Sequence, residues 1–164
     1  DTAKGLLSNG LKDSKLLTHK KRSELVPLIK DQSVCWGIGQ SSAREVDRIG
    51  IRSSTELAMV RALQKLKIRP EIVYVDGILP IRIWDGAQKS IVQGDKYFPE
   101  ISAASVIAKE ARDNLIKRLS SIFPSYGLEK HIGYGTQLHR QSIIDLGYTN
   151  LHRITFLSNI IKSK

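Results

Sequence analysis

The sequence predicts an α/β fold on three observations. Ser33 to Gln40 alternates bulky and slim residues, Ile72-Val73-Tyr74-Val75 is a continuous apolar run, and segments of helical periodicity separate these candidate strands. Residues 1–17 are turn-rich, with Gly5, Ser8, Asn9 and Gly10 ahead of Lys12-Asp13-Ser14-Lys15. From about Thr18 a helix is expected with Leu25, Leu28 and Ile29 on one face, and Pro27 predicts a kink or a split into two short helices. In the strand predicted at 33–40, Val34, Trp36 and Ile38 form the bulky face, while Cys35, Gly37 and Gly39 form the slim one. Ser53 and Glu56 have capping-box spacing, and Leu57, Val60, Leu63 and Leu66 continue at helical intervals to Arg69-Pro70.

The apolar run at 72–75 reads as a buried strand and leads straight into Asp76-Gly77. After a loop with Pro80, Trp84 and Gly86, a further strand is expected at about Lys89 to Gln93, ending at Gly94-Asp95. A long helix from Ser102 places Ala104, Ala108, Ala111, Leu115 and Leu119 on one side, small enough for close approach to a sheet. Tyr126 to Gly135 reads as a glycine-rich loop, followed by a helix through Ile143, Ile144 and Leu146 and a terminal helix over Ile154 to Ile161. The 164 residues suit a single domain, with no repeat or long linker to divide them.

Composition narrows the function. Lysine and arginine number 26 against 16 acids, a net charge of +10 that attracts polyanions, nucleic acid foremost. The lone cysteine, Cys35, excludes an intrachain disulfide and a cysteine zinc site, which fits a reducing, cytoplasmic setting. No apolar run approaches the ~18 residues of a spanning helix.

Asp76 and Asp95 each lie beside a glycine where a predicted strand ends. In α/β sheets the carboxyl ends of strands converge on the functional crevice. Two carboxylates there can hold hard cations such as Mg²⁺ or Mn²⁺, and paired ions roughly 3.5–4 Å apart activate water and stabilise the leaving oxygen of a phosphodiester. Taken singly, an aspartate after a strand is more often a turn or cap residue.

The order of motifs adds a resemblance. Lys12-Asp13-Ser14-Lys15-Leu16-Leu17, Val75-Asp76-Gly77, Gly94-Asp95, Ile101-Ser102-Ala103-Ala104-Ser105-Val106-Ile107-Ala108-Lys109 with Arg112-Asp113, Tyr126-Gly127-Leu128-Glu129-Lys130-His131-Ile132-Gly133-Tyr134-Gly135-Thr136, and Leu151-His152-Arg153 follow one another across nearly the whole chain. Together they resemble the ribonuclease HII family. The resemblance implies a ribonuclease H-like mixed five-stranded sheet flanked by helices, of which this chain supplies the third, fourth and fifth strands. It also implies a four-acid site whose later pair is Asp76 and Asp95, holding Mn²⁺ or Mg²⁺. The first pair belongs to an Asp-Glu-Ala-Gly-Arg-Gly-like motif that has no counterpart here, since Asp1-Thr2-Ala3-Lys4-Gly5 echoes it only faintly. The expectation is therefore a domain lacking its first two strands and first two catalytic acids.

The family likeness gives Tyr134 a stacking role against sugar beside the scissile junction. It makes Ser14 and Lys15 donors to backbone phosphate, and Lys130 and His131 phosphate-binding or loop-ordering residues. The implied activity is hydrolysis of the RNA strand of RNA–DNA hybrids and cutting at ribonucleotides embedded in duplex DNA, by a protein that is monomeric when complete. A non-catalytic nucleic-acid-binding remnant of the fold is the alternative, because the Asp-Glu pair is absent. Asp113, beside Arg112 on a helix, is read as structural rather than as a third ligand, and general-base roles for His131 or His152 are weak where metal-bound water supplies the nucleophile.

Overall fold

A computed structural model describes residues 17–161, so Ser14 and Lys15 lie outside the described residues. The chain groups into two compact units. The first comprises the described residues up to Gln40 together with Glu56–Ala111, and the second Ser41–Thr55 together with the residues from Arg112 onward.

In the first unit, helix α1 spans His19–Gln32, capped by Thr18, whose hydroxyl accepts from the Lys21 amide. It is one helix, not two: Pro27 lies inside it. Pro27 and Ser23, four residues earlier, are both exposed, so water can serve the carbonyl that a proline leaves unmatched. Leu25 and Ile29 are completely buried and pack with Ala103, Val106 and Ile107, while Leu28 is exposed. Each large side chain so buried contributes about 1.5–3 kcal/mol.

The predicted strand at 33–40 is not a strand. Its slim face behaves as expected, since a Cβ at Gly37 or Gly39 would collide with the carbonyl oxygens of Ala62 and Ala58. Those alanines belong to helix α2, Ala43–Leu63. The carbonyl of Ile38 accepts from Lys65 Nζ at 2.7 Å and that of Gln40 from Arg61 Nη1 at 2.9 Å. Two cationic side chains thus serve carbonyls that a neighbouring strand would serve in a ladder, and the segment pairs with no described strand.

Two strands are present among the described residues, β1 at Val73–Asp76 and β2 at Gln88–Ile91. They run parallel, with Val73 opposite Gln88 and Asp76 opposite Ile91. The loop between them is fastened by the Gln88 side chain, which takes the Ile81 amide and donates to the Ile81 carbonyl. Arg82 reaches back from this loop to the buried Glu56, with Nε 2.8 Å from one carboxylate oxygen and 3.1 Å from the other. Glu56 is thus the ion-pair partner of Arg82. The box that starts α2 is Ser42–Glu45: Glu45 Oε2 accepts the Ser42 amide and Ser42 Oγ accepts the Glu45 amide. Gly50 then breaks α2 at φ 79°, a left-handed angle suited to glycine.

A short turn of helix, α3 at Gly94–Tyr97, precedes the long helix α4 at Pro99–Ile122. The face of α4 differs from the alanine stripe expected: Ala104 and Ala108 are exposed, and Ala103, Val106, Ile107, Glu110 and Asp113 are buried. Glu110 explains the shift. It accepts from Ser23 Oγ at 2.8 Å and lies 3.5 Å from Arg22 Nε, both partners coming from α1.

The second unit has its own core of Tyr126, Leu128, Ile143 and Leu157. The loop expected at 126–135 contains a 3₁₀ turn at Pro124–Tyr126 and a short helix, α5, at Leu128–His131. Helix α6, Gln137–Leu146, is capped by Thr136, whose hydroxyl accepts from the His139 amide. The expected terminal helix is a 3₁₀ turn at Ile154–Phe156 followed by α7 at Ser158–Ile161. Asp47 caps the 3₁₀ turn, accepting from the amides of Ile154 and Thr155 and from the Thr155 hydroxyl. That hydroxyl, first, and the Thr155 amide hold its carboxyl below the ordinary value.

Candidate active site

Asp76 closes β1, and Gly77 follows at φ 109°, a conformation that turns the chain away at once and suits glycine. Three residues after β2, the amide of Gly94 donates to Asp76 Oδ1 at 2.9 Å. Gly94 is followed directly by Asp95, so one hydrogen bond ties the first acid to the turn that carries the second. Gly94 has no room for a side chain, because Ile101 lies against it where a Cβ would stand. Asp95 is 7% exposed, in the first turn of α3, whereas Asp76 is open to solvent. Asp76 ends its strand as the sequence predicted, whereas β2 stops at Ile91, short of the predicted Gln93, and Asp95 stands four residues beyond it in the first turn of α3.

The donor set is hard oxygen. Mg²⁺ is commonly held by one or two carboxylates completed by substrate phosphates, and Asp76 with Asp95 suits that pattern. No group of three or more histidines, cysteines or acids able to hold a metal occurs among the described residues. Asp113 is buried on α4 in the second unit, 3.6 Å from Arg112 Nη1.

In the second unit, Tyr134 is 56% exposed, with the Arg112 guanidinium carbon 5.0 Å from its ring centroid. This cation–π contact engages one face of the ring. Lys130 is exposed on α5. His131 is buried, and both its ring nitrogens are committed to backbone: Nε2 to the Tyr126 carbonyl at 3.0 Å and Nδ1 to the Gly133 amide at 3.2 Å. Of the two roles expected for His131, this geometry serves loop ordering and leaves no ring nitrogen for a phosphate. His139, which the sequence did not single out, stacks on His131 with centroids 4.3 Å apart and planes 17° apart. Burial, above all, lowers the pKa of His139 and of His152 from the ordinary imidazole value. No local pattern marks His139, whose ring contacts with His131 and His152 only the fold supplies.

The family model for ribonuclease HII matches residues 1–159. The chain belongs to the ribonuclease HII family. It is 57% identical over 155 residues to a ribonuclease HII of Prochlorococcus marinus, covering 94% of this chain and 81% of that protein. To the ribonuclease HII of Parasynechococcus marenigrum it is 57% identical over 159 residues, covering 97% of this chain and 71% of that one. Among solved structures, the ribonuclease H2 from Pyrococcus horikoshii OT3 superposes with a TM-score of 0.73 at 23% identity, over 98% of this chain and 84% of that one. The ribonuclease HII of Archaeoglobus fulgidus, solved in complex with PCNA, gives 0.70 at 26% identity, over 96% and 83%. The ribonuclease HII assignment makes the chain a member of a ribonuclease H enzyme family with an α/β fold, mostly helical and built on a small sheet. No helix of the described residues is long and apolar enough to cross a membrane.

Proposed function

We propose that this protein cleaves the RNA strand of RNA–DNA hybrids and the phosphodiester at ribonucleotides embedded in duplex DNA, with Asp76 and Asp95 as metal-binding catalytic residues. The observation that carries the reading is the Gly94 amide donating to Asp76 Oδ1, which joins two acids at one corner of a parallel strand pair. Mn²⁺ or Mg²⁺ bound there would supply an activated water and neutralise charge developing on the phosphate. The chain's own residues present the strand. Tyr134, with Arg112 on one face, offers an exposed ring for sugar stacking. Lys130, Lys15 and Ser14 supply donors to phosphate, which position the duplex without reading its sequence. The net charge of +10 draws the duplex in.

The test uses the full-length gene product and three labelled duplexes: all DNA, DNA with one ribonucleotide, and RNA–DNA hybrid. Cleavage confined to the last two, dependent on Mg²⁺ or Mn²⁺ and abolished by chelator, is the expected result. Tight hybrid binding with no cleavage in either metal would favour a binding-only protein of this fold.

A further inference from the structure

Three histidines converge in the second unit, and their hydrogen-bond partners fix where each proton is. The amide of Thr149 donates to His152 Nδ1 at 3.0 Å. An amide nitrogen cannot accept, so Nδ1 of His152 is read as the lone pair, to which the Thr149 hydroxyl, also 3.0 Å away, can donate as well, and Nε2 carries the proton. That nitrogen faces His139 Nε2 at 3.2 Å. On its other side, His139 Nδ1 faces the Tyr134 carbonyl at 3.0 Å. A carbonyl cannot donate, so Nδ1 of His139 carries the proton and its Nε2 accepts from His152. The bonds therefore run in one direction, from the Thr149 amide through two imidazoles to the Tyr134 carbonyl. His131 is fixed by the same reasoning, donating from Nε2 to the Tyr126 carbonyl and accepting at Nδ1 from the Gly133 amide.

All six ring nitrogens are thereby used, which rules out two familiar roles. His152 Nε2 bears a proton toward its neighbour, so the pair cannot chelate a metal without dismantling the Thr149 bond. No lone pair faces solvent, so the cluster has no base to offer. What it does hold is Tyr134. The Tyr134 amide donates to the His131 carbonyl at 2.9 Å, and its carbonyl accepts from His139 and from the Thr136 amide at 2.8 Å. Arg140 Nε takes the next carbonyl, that of Gly135, at 3.0 Å, and Arg112 covers the Tyr134 ring.

We infer that His139 and His152 are positioning residues for Tyr134, fixing its backbone so that the ring is presented to the substrate strand in one orientation. This inference rests on the reading of Tyr134 as a strand contact. A ring already held in its bound orientation avoids an ordering cost when the duplex arrives.

The experiment is single-turnover cleavage of a duplex carrying one ribonucleotide by the full-length gene product, in two backgrounds. His139→Ala is expected to slow cleavage about tenfold with Tyr134 present, the kinetic equivalent of one hydrogen bond, and less than about twofold in a Tyr134→Ala background. His139→Asn, whose amide Nδ2–H stands where Nδ1–H stood, should recover most of the rate. Equal loss in both backgrounds, or no loss in either, overturns the inference while leaving the Tyr134 reading intact. If Tyr134→Ala itself cleaves normally, both fall. Long-range proton–nitrogen NMR of the unsubstituted protein is the second measurement, independent of whether any variant folds. It should find His139 protonated on Nδ1 and His152 on Nε2, and the opposite tautomer at His139 would overturn the relay.

Discussion

Replacing Asp76 by Asn or by Ala separates its structural role from its chemical one. The structural role is the bond from the Gly94 amide to Oδ1 at 2.9 Å. Asparagine keeps an oxygen at that position, so the bond survives as a neutral one. Charge-assisted bonds are roughly twice as strong as neutral ones, so Asp76→Asn should cost under about 1 kcal/mol of stability. Alanine removes the acceptor and leaves the amide of buried Gly94 unmatched, which costs about 1–3 kcal/mol. The proposed chemical role is different in kind, because either substitution removes the negative charge that the proposed metal site requires. Both variants should therefore lose at least about a hundredfold in cleavage of a single-ribonucleotide duplex, roughly 2.7 kcal/mol of transition-state stabilisation. Urea denaturation measures the first quantity, and single-turnover cleavage by the full-length gene product in Mg²⁺ and in Mn²⁺ measures the second. The variants should diverge in stability and coincide in activity. Near-normal cleavage by folded Asp76→Asn protein would refute the site assignment.

Three further outcomes are expected. Binding to an RNA–DNA hybrid should weaken at least about tenfold between roughly 50 and 200 mM salt, read by fluorescence anisotropy, because phosphate contacts release counterions. Glu110→Ala should destabilise the protein by about 3–5 kcal/mol in urea melts, since it removes a carboxylate facing the buried Arg22 guanidinium, and Glu110→Gln should cost less because it can still accept from Ser23. His139 and His152 have folded-state pKa values below the ordinary 6.5, so the unfolded chain binds protons first as pH falls. Their contribution to stability is complete above 6.5 and is lost as pH drops from there toward the lowered folded values, and a His139→Asn, His152→Asn variant should show a flatter melting-temperature profile across that window.

Strand ends were the most legible part of the sequence. Ile72 to Val75 is apolar and mostly β-branched and an Asp-Gly turn follows it, so β1 and its end at Asp76 were found from local pattern, although the burial expected of the strand is complete only at Val75, with Ile72 and Tyr74 exposed. The segment at 33–40 misled because alternation reports which side chains face a neighbour, not what serves the backbone; its carbonyls are taken by Lys65 and Arg61, side chains more than 20 positions away. The buried face of α4 was misread for a related reason. Glu110 looks like a surface residue until Ser23 and Arg22 of another helix are beside it. Ser42–Glu45 was as legible a capping box as Ser53–Glu56, but Gly50, which breaks the helix between them, hid how early α2 begins. The histidine relay could not be read at all, because tautomers are decided by partners that only the fold supplies.

The connection between β1 and β2 has a consequence for how the corner at Asp76 is kept in register. Parallel strands cannot be joined by a tight turn and usually need a helix-bearing crossover of a dozen or more residues. Here residues 77–87 make the connection without a helix, held by the Gln88 side chain at Ile81 and by Arg82 at Glu56. Closing such a loop costs chain entropy before any ladder bond forms. Pairing of the two strands is therefore coupled to α2, which presents Glu56, and to the loop held around Ile81. Loosening either fastening should therefore be felt at the bond between Asp76 and the Gly94 amide, which neither fastening touches.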